Sequence, residues 1–241
     1  MNSIRLLIVA WFSCATLVSG QLVPQPKDPS AILTKIFGKN FSFSATAHVT
    51  MKNANGKEMM RMESAVAMLD GKMRNESDMT KMQGAAMPPE AVIQMKQMGM
   101  DRTVTIVLPT QKIAYLIYPS LNAYCELPIP PAQDNAQEPK VTKTELGKET
   151  VAGHPCVKYK VTVADTNGQT LESIIWQATD LKDFPIQTQI TNSDGTLITV
   201  IYKDINQTPP VASLFELPAG CKKYGNVQEL MMGSMQRMMG Q

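Results

Sequence analysis

Histidine is nearly absent from the 241 residues, with only His48 and His154. No Gly-x-Ser-x-Gly, His-Glu-x-x-His or phosphate-cradling glycine loop occurs, so the usual hydrolase and nucleotide-binding signatures are missing. Acidic pairs such as Glu126 and Glu138 carry no spacing that suits general acid/base work. Basic blocks are lacking too, and the formal net charge is only +2. That removes the electrostatic footprint of a nucleic-acid partner or of strong attraction to anionic membrane. The four cysteines fit neither a zinc pattern nor a Cys-x-x-Cys redox pair. The inventory therefore disfavours an enzyme and calls for no cofactor.

What is there begins with "MNSIRLLIVAWFSCATLVSG". A basic residue at Arg5, an apolar run from Leu6 to Val18 and small residues Ser19 and Gly20 predict a cleavable export signal over residues 1–20, cut after Gly20. A lipid anchor on Cys14 would be the alternative, but "WFS" places bulky residues ahead of it. No second long apolar run follows, so no mature transmembrane segment is expected and a periplasmic or otherwise exported location is. In that oxidising setting Cys125, Cys156 and Cys221 remain, and a Cys125–Cys156 disulfide is expected because each flanks a strand of one meander. Three sequons, at Asn40, Asn75 and Asn206, would matter only in a eukaryotic secretory host.

Periodicity supplies the architecture. "DPSAILTKIFGK" predicts a short helix. In "FSFSATAHVTM" the odd positions Phe41 to Met51 are apolar, a half-buried strand. "EMMRMESAVAMLDG" and "GKMRNESDM" read as two further strands joined at Asp70-Gly71. "RTVTIVLP", "QKIAYLIYP" and "NAYCELP" follow, each punctuated by a proline. After the polar, proline-rich stretch "IPPAQDNAQEPK", five strands resume from "VTKTELGKETVAG" to "TLITVIYKDIN", with Asn167-Gly168 and Asp194-Gly195 as hairpin turns. The tail "VQELMMGSMQRMM" offers Leu230, Met231, Met235 and Met238 as one face of a short helix. About ten antiparallel strands and two or three helices predict a mainly β (α+β) chain. It would be one large, strongly curved sheet over residues 21–226 and a methionine-rich tail or helix over 227–241.

Eighteen methionines are the unusual feature, and twelve of them fall between Met51 and Met100. "KMQGAAMPPEAVIQMKQMGM" predicts a helix from Pro88 to Gln97, with prolines suited to its first turn and Gly99 to its stop. Ala91, Val92, Met95 and Met98 share one face, which would lie over the apolar side of the sheet. Thioethers are flexible and polarizable and adapt to variable shapes. They are also soft ligands, so Met95, Met98 and Met100 form an alternative Cu(I) set. A third alternative is plain core packing with no ligand.

"ELGKETVAGHPCVKYKVTV", "WQATDLKDFPIQTQI" and "LFELPAGCKKY" resemble a methionine-rich, uncharacterised family of exported bacterial proteins within the LolA/LolB-like periplasmic lipoprotein-carrier superfamily. The resemblance implies a half-open barrel whose concave face is covered by short helices. It also implies a non-enzymatic protein that shelters an acyl chain, lipid or other apolar molecule. Cys221 departs from the pattern, since an aromatic usually follows "LPAG" in that family.

Overall fold

The computed structural model describes residues 41–84, 88–129, 140–164, 170–192 and 194–238. The predicted export signal, the lipid-anchor alternative at Cys14, the helix of residues 28–39 and the Asn167-Gly168 turn lie outside them. Among the described residues are twelve strands and two α-helices. The strands are β1 (Phe43–Lys52), β2 (Glu58–Leu69), β3 (Lys72–Asp78), β4 (Arg102–Leu108), β5 (Ile113–Tyr118) and β6 (Ala123–Pro128). They continue with β7 (Lys140–Val151), β8 (His154–Ala164), β9 (Thr170–Ala178), β10 (Phe184–Thr191), β11 (Leu197–Asn206) and β12 (Lys222–Tyr224). Helix α1 spans Pro89–Gln97 and α2 spans Val227–Met238.

Local chemistry accounts for most of these elements. On β1 burial alternates strictly, with Phe43, Ala45, Ala47 and Val49 inward, as the period of two requires. Asp70 and Gly71 both take positive φ, 49° and 79°, the tight reversal that joins β2 to β3. Pro109 and Pro119 each open a single 3-10 turn that ends on a left-handed residue, Lys112 or Asn122. A proline that cannot extend a strand thus starts the turn to the next one. Gly84 is required where it stands, because its φ is 116° and a Cβ would lie 2.4 Å from the Met59 carbonyl oxygen.

All twelve strands form one sheet in the order β12-β6-β5-β4-β3-β2-β1-β11-β10-β9-β8-β7. Two antiparallel meanders, β1–β6 and β7–β11, are joined where β1 pairs with β11, Val49 opposite Val200. Register shifts between Ser44 and Thr46 on β1, between Pro185 and Gln187 on β10, and between Glu145 and Gly147 on β7 bend the strands. The result is an open, curved half-barrel with helices on one face.

The inner face carries the main core: Phe43, Met68, Trp176, Phe184 and Tyr202 among others. Phe43 packs edge-on to Phe184 and Tyr202, with centroids 5.0 and 6.2 Å away. On the outer face a separate cluster of Ala67, Val104, Ile106 and Ile117 closes around Phe215, which sits in the 3-10 segment Ala212–Phe215. β4 is therefore buried on both sides from Thr103 to Leu108, with Val104, Ile106 and Leu108 on the outer face and Thr103, Thr105 and Val107 on the inner one.

Three expectations change. The sheet has twelve strands, and the unanticipated β12 pairs with β6 in parallel, Lys222 opposite Ala123. The Cys125–Cys156 disulfide is not formed: Cys125, Cys156 and Cys221 are free. Cys125 lies on β6 and Cys156 on β8, near opposite ends of the strand order and in different core clusters. The two residues belong to different meanders, which the β1–β11 junction sends apart. The packed side of α2 also differs, since Leu230 and Ser234 are buried while Met231 and Met235 are exposed.

Candidate functional site

The inner face beneath α1 is lined with methionine. The period of two on β2 turns Met60, Met62 and Met68 inward, and Met68 stands opposite Met73 on β3. Met79, in the turn that follows β3, completes a set of five buried thioethers. Met51, Met82 and Met95 pack against them half-buried. A surface this rich in unbranched, polarizable side chains can repack around different shapes without leaving rotamer minima.

Helix α1 lies over this surface. Pro89 occupies its first turn, Glu90 and Lys96 complement its dipole, and Gly99 follows with φ 68°. Ala91, Val92 and Met95 pack against the methionine-lined cluster, as the spacing predicts, yet no α1 side chain is fully buried. Ile93 is 57 % exposed. The helix is tied at its C-terminal end, where the Ser234 hydroxyl of α2 donates to the Met98 carbonyl at 2.7 Å.

Met98 does not join the face of Met95. It packs with Leu121, Tyr224 and Val227 around a second cluster of Met100, Leu116, Tyr118, Cys125 and Leu230. Met95 therefore belongs to one core cluster, and Met98 and Met100 belong to another. Among the described residues no group of three or more His, Cys, Asp or Glu side chains is placed to hold a metal ion.

A buried polar row crosses the same inner face: Ser64 on β2 stands opposite Ser77 on β3, which stands opposite Thr103 on β4. Among the described residues the Ser77 hydroxyl has no hydrogen-bond partner. The sequence alone does not show this row, because Met73 is the one apolar residue of "KMRNESD" and only the strand pairing shows that Ser77 points in. On the outer side of β3, Glu76 bridges Arg74 and Arg102 at 3.0 and 2.9 Å.

The two histidines are strand-surface residues. His48 Nδ1 lies 3.0 Å from Glu63 and His154 Nδ1 lies 2.8 Å from Asp180. His154 and Cys156 are two residues apart, an adjacency sequence reasoning overlooked. The thiol does not meet the imidazole; it donates to the His154 backbone carbonyl at 3.3 Å. Burial pushes the Cys156 thiol up, as it does Cys125, with Glu229 adding to the effect on Cys125. Neither is a poised nucleophile.

Residues 58–197 match a protein family described as a domain of unknown function, DUF4412. The chain belongs to that family. Its DUF4412 region runs from the start of β2 to the start of β11, so it contains the methionine-lined surface of β2 and β3 together with α1. No curated protein matches the chain. Solved structures similar to this DUF4412 protein include an uncharacterized conserved protein from Thermus thermophilus, at 12 % identity over 81 % of this chain and 97 % of that one, with a TM-score of 0.48. Another is the lipoprotein LppX of Mycobacterium tuberculosis, at 10 % identity over 69 % and 88 %, TM-score 0.37. A LolA superfamily protein from Nitrosomonas europaea is similar at 10 % identity over 77 % and 96 %, TM-score 0.35. The lipoprotein-carrier superfamily implied by the sequence motifs is thus represented among them. Among the described residues no helix is long and apolar enough to cross a membrane.

Proposed function

We propose that this protein is an exported, non-enzymatic binding protein that shelters an acyl chain, lipid or other apolar molecule between the methionine-lined inner face of its half-barrel and α1. One observation carries the reading: buried thioethers from β2, β3 and the following turn line a surface whose helical cover has no fully buried side chain. Acyl chains bind through apolar area, at ~25 cal/mol per Å², and need no fixed polar partners, so an adaptable lining suits them. A lightly seated cover can be displaced without unfolding the sheet beneath it. The row Ser64, Ser77 and Thr103 would meet the polar end of such a ligand. Soft-metal binding is the less favoured reading, because Met95 is packed apart from Met98 and Met100.

Native mass spectrometry and lipid extraction of protein purified from its own envelope test the proposal. Co-purifying apolar molecules are the expected result, and an apo mass alone overturns it. Exchanging Met95→Leu together with Met98→Leu should leave fold and lipid retention unchanged, since volume and apolarity are nearly kept. Copper competition lost in that variant would instead support a thioether metal site.

A further inference from the structure

Strand β7 ends the sheet order, and among the described residues nothing pairs with its outer edge. It is twelve residues long and exposed over most of its length, an open ladder of backbone donors and acceptors. Natural edges of this kind are usually blunted by charge, but here the charges are arranged in a self-complementary way. The key is the register shift between Glu145 and Gly147. Before it, Lys143 reaches Gln177 at 2.5 Å; after it, Glu149 accepts from the Trp176 indole N–H. Trp176 and Gln177 are consecutive on β9, so they face opposite ways, and so do Lys143 and Glu149 despite their even separation. The extra residue exchanges inward and outward positions halfway along the strand.

Consider two copies of β7 antiparallel about a two-fold axis centred on that bulge. With Leu146 set against Gly147 of the other copy, residues before the bulge oppose residues after it, so the opposed side chains share a face from the Thr142–Val151 pair to the Glu145–Lys148 pair. In that register Glu145 stands opposite Lys148 twice, once on each side of the axis. A two-residue slip one way sets Lys143 against Lys148, and a slip the other way removes the charge pairs. Glu145 and Lys148 are both exposed and make no ion pair among the described residues. Leu146, 50 % exposed beside the axis, would be covered by its neighbour's Gly147, which has no side chain to obstruct it.

We propose that β7 is a self-association edge, where a second copy of this chain adds its own β7 antiparallel, with Glu145 of each copy opposite Lys148 of the other. The contact is isologous and closes at two copies, because each copy offers one β7. Backbone hydrogen bonds supply the attraction and the paired charges choose the register.

Sedimentation velocity of the purified protein across a micromolar concentration series tests this. The wild type should dimerise, and Glu145→Lys or Lys148→Glu alone should weaken the dimer about tenfold or more by making both pairs like-charged. The double exchange E145K/K148E should restore it. Mixing the two single variants should give a heterodimer, which also shows that both are folded. A wild type that stays monomeric, a dimer indifferent to the single reversals, or a double exchange that fails to rescue overturns the proposal.

Discussion

Cys125, Cys156 and Cys221 show how a residue's chemistry follows from its neighbours. Cys125 and Cys156 are buried in separate apolar clusters, where desolvation disfavours the thiolate; Cys221 is half-buried against the outer-face cluster around Phe215. Alkylation of the native protein without reductant should therefore label Cys221 first, and denaturation should release all three thiols. Fewer than three labelled cysteines after denaturation would show a disulfide after all. The pH dependence has a definite sign. Two thiols raised on folding contribute stability that is fully present below their unfolded pKa and is lost as pH rises through the folded value. Denaturant midpoints should thus fall on the alkaline side, and less so in a Cys125→Ala, Cys156→Ala variant. Such pairing was not legible in the sequence, because cysteine spacing carries no information about which strands become neighbours.

The two helices differ in how they are held, and that difference predicts opposite responses to the same kind of change. Leu230 of α2 is 1 % exposed and packs against Tyr118 and Cys125, whereas α1 places only half-buried side chains on the sheet. Val92→Asp with Met95→Asp should cost only about 1 kcal/mol of unfolding free energy while abolishing lipid retention. Leu230→Asp should cost about 3 kcal/mol or more, because a carboxylate would enter a dry cluster. Urea unfolding alongside lipid extraction distinguishes them, and equal destabilisation by both would contradict a lightly seated cover. Helix α1 was legible in outline from its prolines, its apolar spacing and Gly99. The working face of α2 was not. Counting apolar residues selects Met231 and Met235, but the packed position one turn after Leu230 is Ser234, whose hydroxyl holds the end of α1.

For the molecule as a whole, the pairing of β1 with β11 makes two meanders into one sheet. Ala47 sits at that seam, 2 % exposed, with Ser64 on one side and Tyr202 on the other. The main cluster runs across the seam from Met68 and Met73 to Trp176 and Cys156, so neither meander can bury its face alone. A single calorimetric transition is expected, with calorimetric and van't Hoff enthalpies in agreement. Two separable transitions would mean that the meanders fold independently. The sequence by itself determined the strands of both meanders, the turns at Asp70-Gly71 and Asp194-Gly195, and α1, because alternation, proline and glycine act within a few residues. Tertiary structure decided the β1–β11 seam, the parallel β12, the separation of Cys125 from Cys156, the parting of Met95 from Met98 and the inward turn of Ser77. Each of these depends on which strand edges meet, and that choice is made by burying one shared apolar face rather than by any local pattern.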